Sequence, residues 1–104
     1  MKNEFKEIFN AISTGVIVHN QGQILFTNPY VSQITGYSGA ELETMKAWDL
    51  IHPDFHGVVK LMMERRLKNE EVPDHYEIKA LKRNGEDLWV EVYPRNFNFK
   101  DQQP

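Results

Sequence analysis

The tetrapeptide Arg83-Asn84-Gly85-Glu86 constrains this chain more than any other stretch, because it separates two runs that alternate apolar and polar residues. Asn-Gly between alternating strands is the strongest short hairpin signal: both central residues of a type I′ turn take positive φ, which Asn and Gly tolerate. Before it, His75 to Lys82 places Tyr76, Ile78 and Ala80 on one face and Glu77 and Lys79 on the other. After it, a strand from Asp87 to about Phe99 sets Leu88, Val90 and Val92 on one face and Trp89, Glu91 and Tyr93 on the opposite one. Pro94 removes one ladder donor and predicts a bulge or a break there. A second hairpin is expected near the start, from the β-branched run Val16 to His19, the turn Asn20-Gln21-Gly22 and the strand Gln23 to Thr27.

Helical signals fill the rest. Phe5, Ile8, Phe9 and Ile12 fall at i, i+3, i+4 and i+7, opposite Lys2, Glu4, Lys6 and Glu7, which predicts an amphipathic helix over 2–12. Asn28-Pro29 opens a second helix, with Asn28 placed to cap it through its side chain and Gly36 to end it. Ser38 to Glu41 has capping-box spacing and predicts a short helix to about Thr44. Ala47 to Ile51 reads as a single turn, and Asp54 to Lys68 as a helix with Phe55, Val58, Val59 and Met62 facing inward. The order of one helix, two strands, a block of helices and two strands is α+β, and it does not suit a parallel βαβ sheet.

A length of 104 residues leaves room for one domain spanning 1–104 and excludes a two-domain enzyme. With 40% hydrophobic residues a packed core is expected. Twelve Lys and Arg against 15 Asp and Glu give a net charge of −3, which argues against a nucleic acid or an anionic membrane surface as partner. The absence of cysteine excludes disulfides, thiolate metal sites and thiol nucleophiles. No apolar run approaches the roughly 18 residues of a membrane span, and the N-terminus lacks a signal-peptide pattern, so a cytoplasmic location is expected.

With these elements in place, six tracts in order resemble the PAS (Per–Arnt–Sim) sensory domain. They are Gly22 to Pro29, Ile34 to Ser38, Glu41-Leu42, Leu50 to Asp54, Tyr76 to Ile78, and Lys82 to Glu86 with Trp89-Val90-Glu91, and the likeness covers about residues 5 to 97. The resemblance implies a five-stranded antiparallel sheet with the central helices on its inner face and the N-terminal amphipathic helix outside it. It divides the chain into that helix (2–12), the core (13–99) and a tail (100–104) where the family's last strand would begin. That fifth strand, central in the family's sheet between the first and fourth, is not found before Pro104. The chain is then expected to be a fragment, to receive the strand from another chain, or to move its fourth strand across to the first. Open strand edges are costly and adhesive, so dimerisation or exchange of an element between chains is expected.

The resemblance also implies a non-catalytic sensory and dimerisation module of a signal-transduction protein, a histidine kinase or a cyclic-dinucleotide enzyme, fused to an output domain. The alternative is a purely structural protein–protein interaction domain with a filled core. Flavin-photosensing members need a reactive cysteine, absent here, and haem-binding members use a histidine on the long central helix. His56 lies too early in that helix to match, so neither cofactor is carried over and only an unidentified small molecule is expected. His52 and His56 have i, i+4 spacing, but His52 precedes Pro53 and is read as a cap, so no metal site is expected. Glu41, Asp49 and Asp54 each have a capping or surface role, and no acid/base or nucleophile constellation emerges.

Two candidate sites remain. The ligand pocket between sheet and helices is assigned to Phe26, Asn28, Ile34, Trp48, Phe55, Val58, Met62, Tyr76, Ile78 and Val90, part of an inner face that also holds Val16, Val18, Ile24, Leu42, Leu50 and Leu88. A homodimer interface is assigned to Phe5, Ile8, Phe9 and Ile12 with Trp89 and Tyr93 of the outer sheet face, since an apolar stripe of this size must find a second surface.

Overall fold

Two antiparallel hairpins bracket a block of short helices in the computed structural model, which describes residues 2–95; for Lys2, Asn3, Phe5 and Lys6 only the backbone is described. The elements are α1 (Lys2–Ala11), β1 (Ile17–Asn20), β2 (Gln23–Thr27), α2 (Pro29–Thr35), α3 (Gly39–Leu42), 3₁₀ turns at Ala47–Leu50 and Pro53–Phe55, α4 (His56–Leu67), β3 (Tyr76–Leu81) and β4 (Asp87–Val92). The α+β order expected from the sequence is the order observed. β4 ends ahead of Pro94, as its missing donor requires. The expected continuation to Phe99 and the tail lie outside the described residues.

The type I′ geometry expected at Asn84-Gly85 is found in the other hairpin. In the β1–β2 turn, Gln21 and Gly22 both take positive φ, 50° and 97°, so the two-residue type I′ turn sits here. At Asn84-Gly85 only the glycine does, with φ 92°. The Gly85 amide donates to the Lys82 carbonyl at 3.0 Å and the Lys82 amide to the Glu86 carbonyl at 2.8 Å. That is a three-residue loop with a left-handed glycine after a type I turn. Asn84 stays out of the left-handed region because its Oδ1 accepts from the Glu86 amide at 2.9 Å, a bond that fixes the turn locally.

The hairpins remain separate two-stranded sheets, β1-β2 and β3-β4. Among the described residues β4 does not cross to β1, so the rearranged pairing is not the one adopted. The segment 45–52 joins the sheets instead. Its first half lies along β2, with the Ile24 amide donating to the Met45 carbonyl at 3.2 Å and the Ala47 amide to the Gly22 carbonyl at 2.6 Å. Its second half lies along β3, through an Ile51–Ala80 bridge and a 2.9 Å bond from the His52 amide to the Lys79 carbonyl.

The β1–β2 register pairs Val18 with Phe26 and His19 with Ile24, leaving Leu25 as the extra residue of a bulge. Cross-strand partners share a face and neighbours alternate, so the bulge puts Ile24 and Phe26 on opposite sides. The single inner face expected to hold Val18, Ile24 and Phe26 together is therefore divided. Ile24 joins Val31, Leu42 and Leu50 in the buried cluster, with Tyr37, Met45 and Ala47 packed against it. Leu42 is fully buried, a contribution of roughly 1.5–3 kcal/mol by area transfer. Phe26 instead meets α1, its ring 6.1 Å from that of Phe9 in an edge-to-face pair.

α4 departs most from expectation: none of its residues is buried, and Val58 and Leu61 are exposed. Val59, Met62 and Met63 are half-buried, and Lys60 reaches the Trp48 ring. Among the described residues, no helix is long and apolar enough to cross a membrane.

Candidate functional site

The polar centre of the fold is Asn28, which is 1% exposed. Expected as a side-chain cap for α2, it makes no such bond. Its Oδ1 accepts from the Val16 amide at 2.9 Å and its Nδ2 donates to the Thr14 carbonyl at 2.8 Å, while the Val16 carbonyl accepts from the Asn28 amide at 3.1 Å. The segment leaving α1 runs past with unpaired backbone groups, and satisfying them outweighs capping a helix whose first position is Pro29. Asn28 thus stitches residues 14–16 to the start of α2.

Trp48 covers the β1–β2 turn. A Cβ built on Gly22 would lie 2.2 Å from the Trp48 Cζ2, so the glycine is required by contact as well as by φ. Within the same turn His19 Nδ1 accepts from the Gly22 amide at 3.1 Å. His19 is exposed at the strand end, and partial desolvation lowers its pKa, which favours the neutral form that can accept. The ammonium of Lys60 lies 5.2 Å from the Trp48 ring, which links α4 to this turn. His56 Nε2 lies 2.8 Å from both the Trp48 and the Ile51 carbonyls, so it carries the proton and braces the connecting segment. His52 caps its 3₁₀ turn as expected, accepting from the Asp54 amide at 3.1 Å.

The other pocket candidates are spread across the molecule. Ile78 is buried at a paired position opposite Val90, and Tyr76 pairs with Val92 on the same face. Phe55 packs edge-to-face on Trp89 at 5.7 Å, Met62 is half-buried, and Val58 is 39% exposed. Two surface clefts are present. One of about 440 Å³ runs between the end of α2 and the β3–β4 turn, lined by Gln33, Ile34, Thr35, Gly36 and residues 82–84. The other, about 290 Å³, is lined by Asn10, Thr27, Asn28, Pro29, Ser32 and Gly39. Ile34 lines the first and Asn28 the second; the other pocket candidates line neither.

Of the association candidates, Ile8 is 64% exposed and Ile12 is exposed too, and Phe26, assigned to the pocket, is a further exposed apolar group. The Phe5 side chain lies outside the described residues. Trp89 stays exposed beside Phe55 with the Lys79 ammonium 5.3 Å from its ring, and Tyr93 stacks on His75 at 4.9 Å.

Sequence reasoning missed one tie. Arg83 donates to Glu41 Oε1 at 3.1 Å, and its amide donates to the Thr35 carbonyl at 2.8 Å, fastening the β3–β4 turn to α2 and α3. The same Glu41 oxygen closes the Ser38 capping box, accepting from the Ser38 amide at 2.8 Å. That amide bond, opposed by desolvation and aided by the Arg83 charge, holds the Glu41 carboxyl below the usual carboxylate range. The capping-box spacing marked Glu41, but nothing local marked a partner 42 residues away.

Known proteins converge on one fold. A family model described as PAS domain matches residues 13–102. The fold resembles a domain of a sensory box sensor histidine kinase/response regulator from Geobacter sulfurreducens, with a TM-score of 0.69 and 23% identity over 86% of this chain and 78% of that one. It also resembles a PAS domain from a two-component sensor histidine kinase, with a TM-score of 0.67 and 21% identity over 86% and 77% of the two chains. A PAS domain from Colwellia psychrerythraea aligns with a TM-score of 0.72 and 19% identity over 91% and 85%. No curated protein sequence matches the chain.

Proposed function

The chain belongs to the PAS domain family, and on that premise we propose that it is a non-catalytic sensory module that relays the state of a ligand or partner to an output domain in a signal-transduction protein. The observation that carries this reading is the family match over residues 13–102. Two of the structures it resembles belong to sensor histidine kinases, which favours a histidine kinase over a cyclic-dinucleotide enzyme as the parent. The setting we infer is cytoplasmic. The ligand is a small molecule held between the helices and the β3–β4 face that carries Tyr76, Ile78 and Val90. A thermal-shift screen of small metabolites tests this, since a ligand at about a hundred times its Kd stabilises by roughly 2.7 kcal/mol. A rise of several degrees with one chemical class is expected. A flat response throughout supports the filled-core interaction domain.

Association is the second half of the proposal. The occupant of the exposed apolar group at Ile8, Ile12 and Phe26 is a second copy of this chain, because α1 meets its own domain through Phe9 and leaves Ile8 outward. Replacing Ile8 and Ile12 by Ser should convert a dimer to a monomer in sedimentation. A dimer unchanged by both substitutions removes α1 from the interface.

A further inference from the structure

We propose that His19 makes the β1–β2 turn a proton-responsive latch on Trp48, so that acidification loosens the contact between this hairpin and the connecting segment that leads to α4. The geometry runs through one residue. His19 Nδ1 accepts from the Gly22 amide at 3.1 Å, the Gly22 carbonyl accepts from the Ala47 amide at 2.6 Å, and the Trp48 ring lies directly against the Gly22 Cα. An imidazolium carries a proton on both nitrogens and cannot accept. Protonation therefore sets two N–H groups against each other inside a turn whose φ values, 50° and 97°, leave little room for adjustment. Whether the exposed ring swings out or Gly22 moves, the Gly22 amide loses its side-chain acceptor, and Gly22 is the residue that meets both Ala47 and Trp48. Trp48 in turn sits beneath Lys60 of α4.

The charged and titratable groups on the elements packed around this turn include Glu41 and Glu43 at α3, Lys46 and Asp49 at the first 3₁₀ turn, His52 at the end of the connecting segment, and His56 and Lys60 on α4. Glu41 is held by Ser38 and Arg83, and Asp49 accepts from the Lys46 amide at 2.9 Å. His56 donates through Nε2, a bond that survives its protonation. His52 also accepts through Nδ1, from the Asp54 amide at 3.1 Å, but that bond closes the following 3₁₀ turn, whereas the His19 ring is the one that accepts from Gly22. Partial desolvation favours its neutral form, so the latch is closed above the ordinary histidine range and opens as pH falls through a lower value. This inference concerns protons and stands whether or not a small molecule binds.

The test is Trp48 fluorescence in a Trp89→Phe background, titrated from about pH 8 to pH 5 around the ordinary histidine range. A step in emission is expected, lost in His19→Asn, whose Oδ1 keeps an acceptor near the Nδ1 position without titrating. The step should survive His56→Gln. A step that persists in His19→Asn, or no step in the parent background, overturns the proposal. Should His19→Asn fail to fold, NMR of the unaltered chain decides: the Gly22 amide and the His19 ring must titrate together, and a Gly22 amide indifferent to His19 overturns the latch.

Discussion

Replacing Asn28 by alanine removes both partners of a backbone segment at once: the Val16 amide loses its acceptor at 2.9 Å and the Thr14 carbonyl its donor at 2.8 Å. A buried polar group left without a partner costs about 1–3 kcal/mol. The side chain is 1% exposed, so water does not readily replace it, although Thr14 itself lies at the surface. The sum for the two groups is about 2–6 kcal/mol, toward the lower end because Thr14 can meet water, and a large share of the roughly 5–15 kcal/mol that holds a domain together. At about 4–8 °C per kcal/mol for a chain of this size, the midpoint should fall by 8 °C or more. Urea unfolding followed by far-UV circular dichroism gives the free energy, and amide exchange at Val16 gives the local consequence. Asn28→Asp keeps the acceptor but sets an oxygen against the Thr14 carbonyl, so it should be no milder than alanine. A loss below about 1 kcal/mol with the Val16 amide still protected would refute the stitching role.

Leu42→Ala empties a fully buried site and should cost about 2–5 kcal/mol in the same unfolding assay; a loss under 1 kcal/mol would mean that the cluster does not depend on it. Gly22→Ala places a methyl where Trp48 Cζ2 would lie 2.2 Å away and also strains a φ of 97°, so it should lower the melting temperature and shift Trp48 emission to the red. The depressed Glu41 carboxyl contributes stability that is complete above its unfolded value and is lost as pH falls through its lower folded value. Glu41→Gln should therefore flatten that part of the acid limb in pH-dependent melting, whereas an unchanged limb would assign it to other carboxylates.

What could be read from the sequence followed the range of the interactions. The α1 helix, the Gly36 stop with its φ of 87° and the Ser38–Glu41 capping box depend on residues within a few positions of one another, and all three appear as expected. The turn types were legible as turns but not as types, because Asn84 is governed by a side-chain bond to Glu86 that the Asn-Gly pair alone does not reveal. The Leu25 bulge was invisible for a related reason: alternation predicts faces only while the register is regular. Asn28 drew notice as a cap and proved to serve a segment a dozen residues earlier, a choice decided by chain path rather than by propensity. α4 shows the same limit in reverse, since its apolar residues imply burial that this arrangement of hairpins does not supply.

The sensing claim is tested most directly by native mass spectrometry of the purified chain. A dimer is expected whose mass exceeds that of two 12.2 kDa polypeptides by a discrete small molecule, released on denaturation. A bare polypeptide mass in every preparation, from every growth condition, would contradict it.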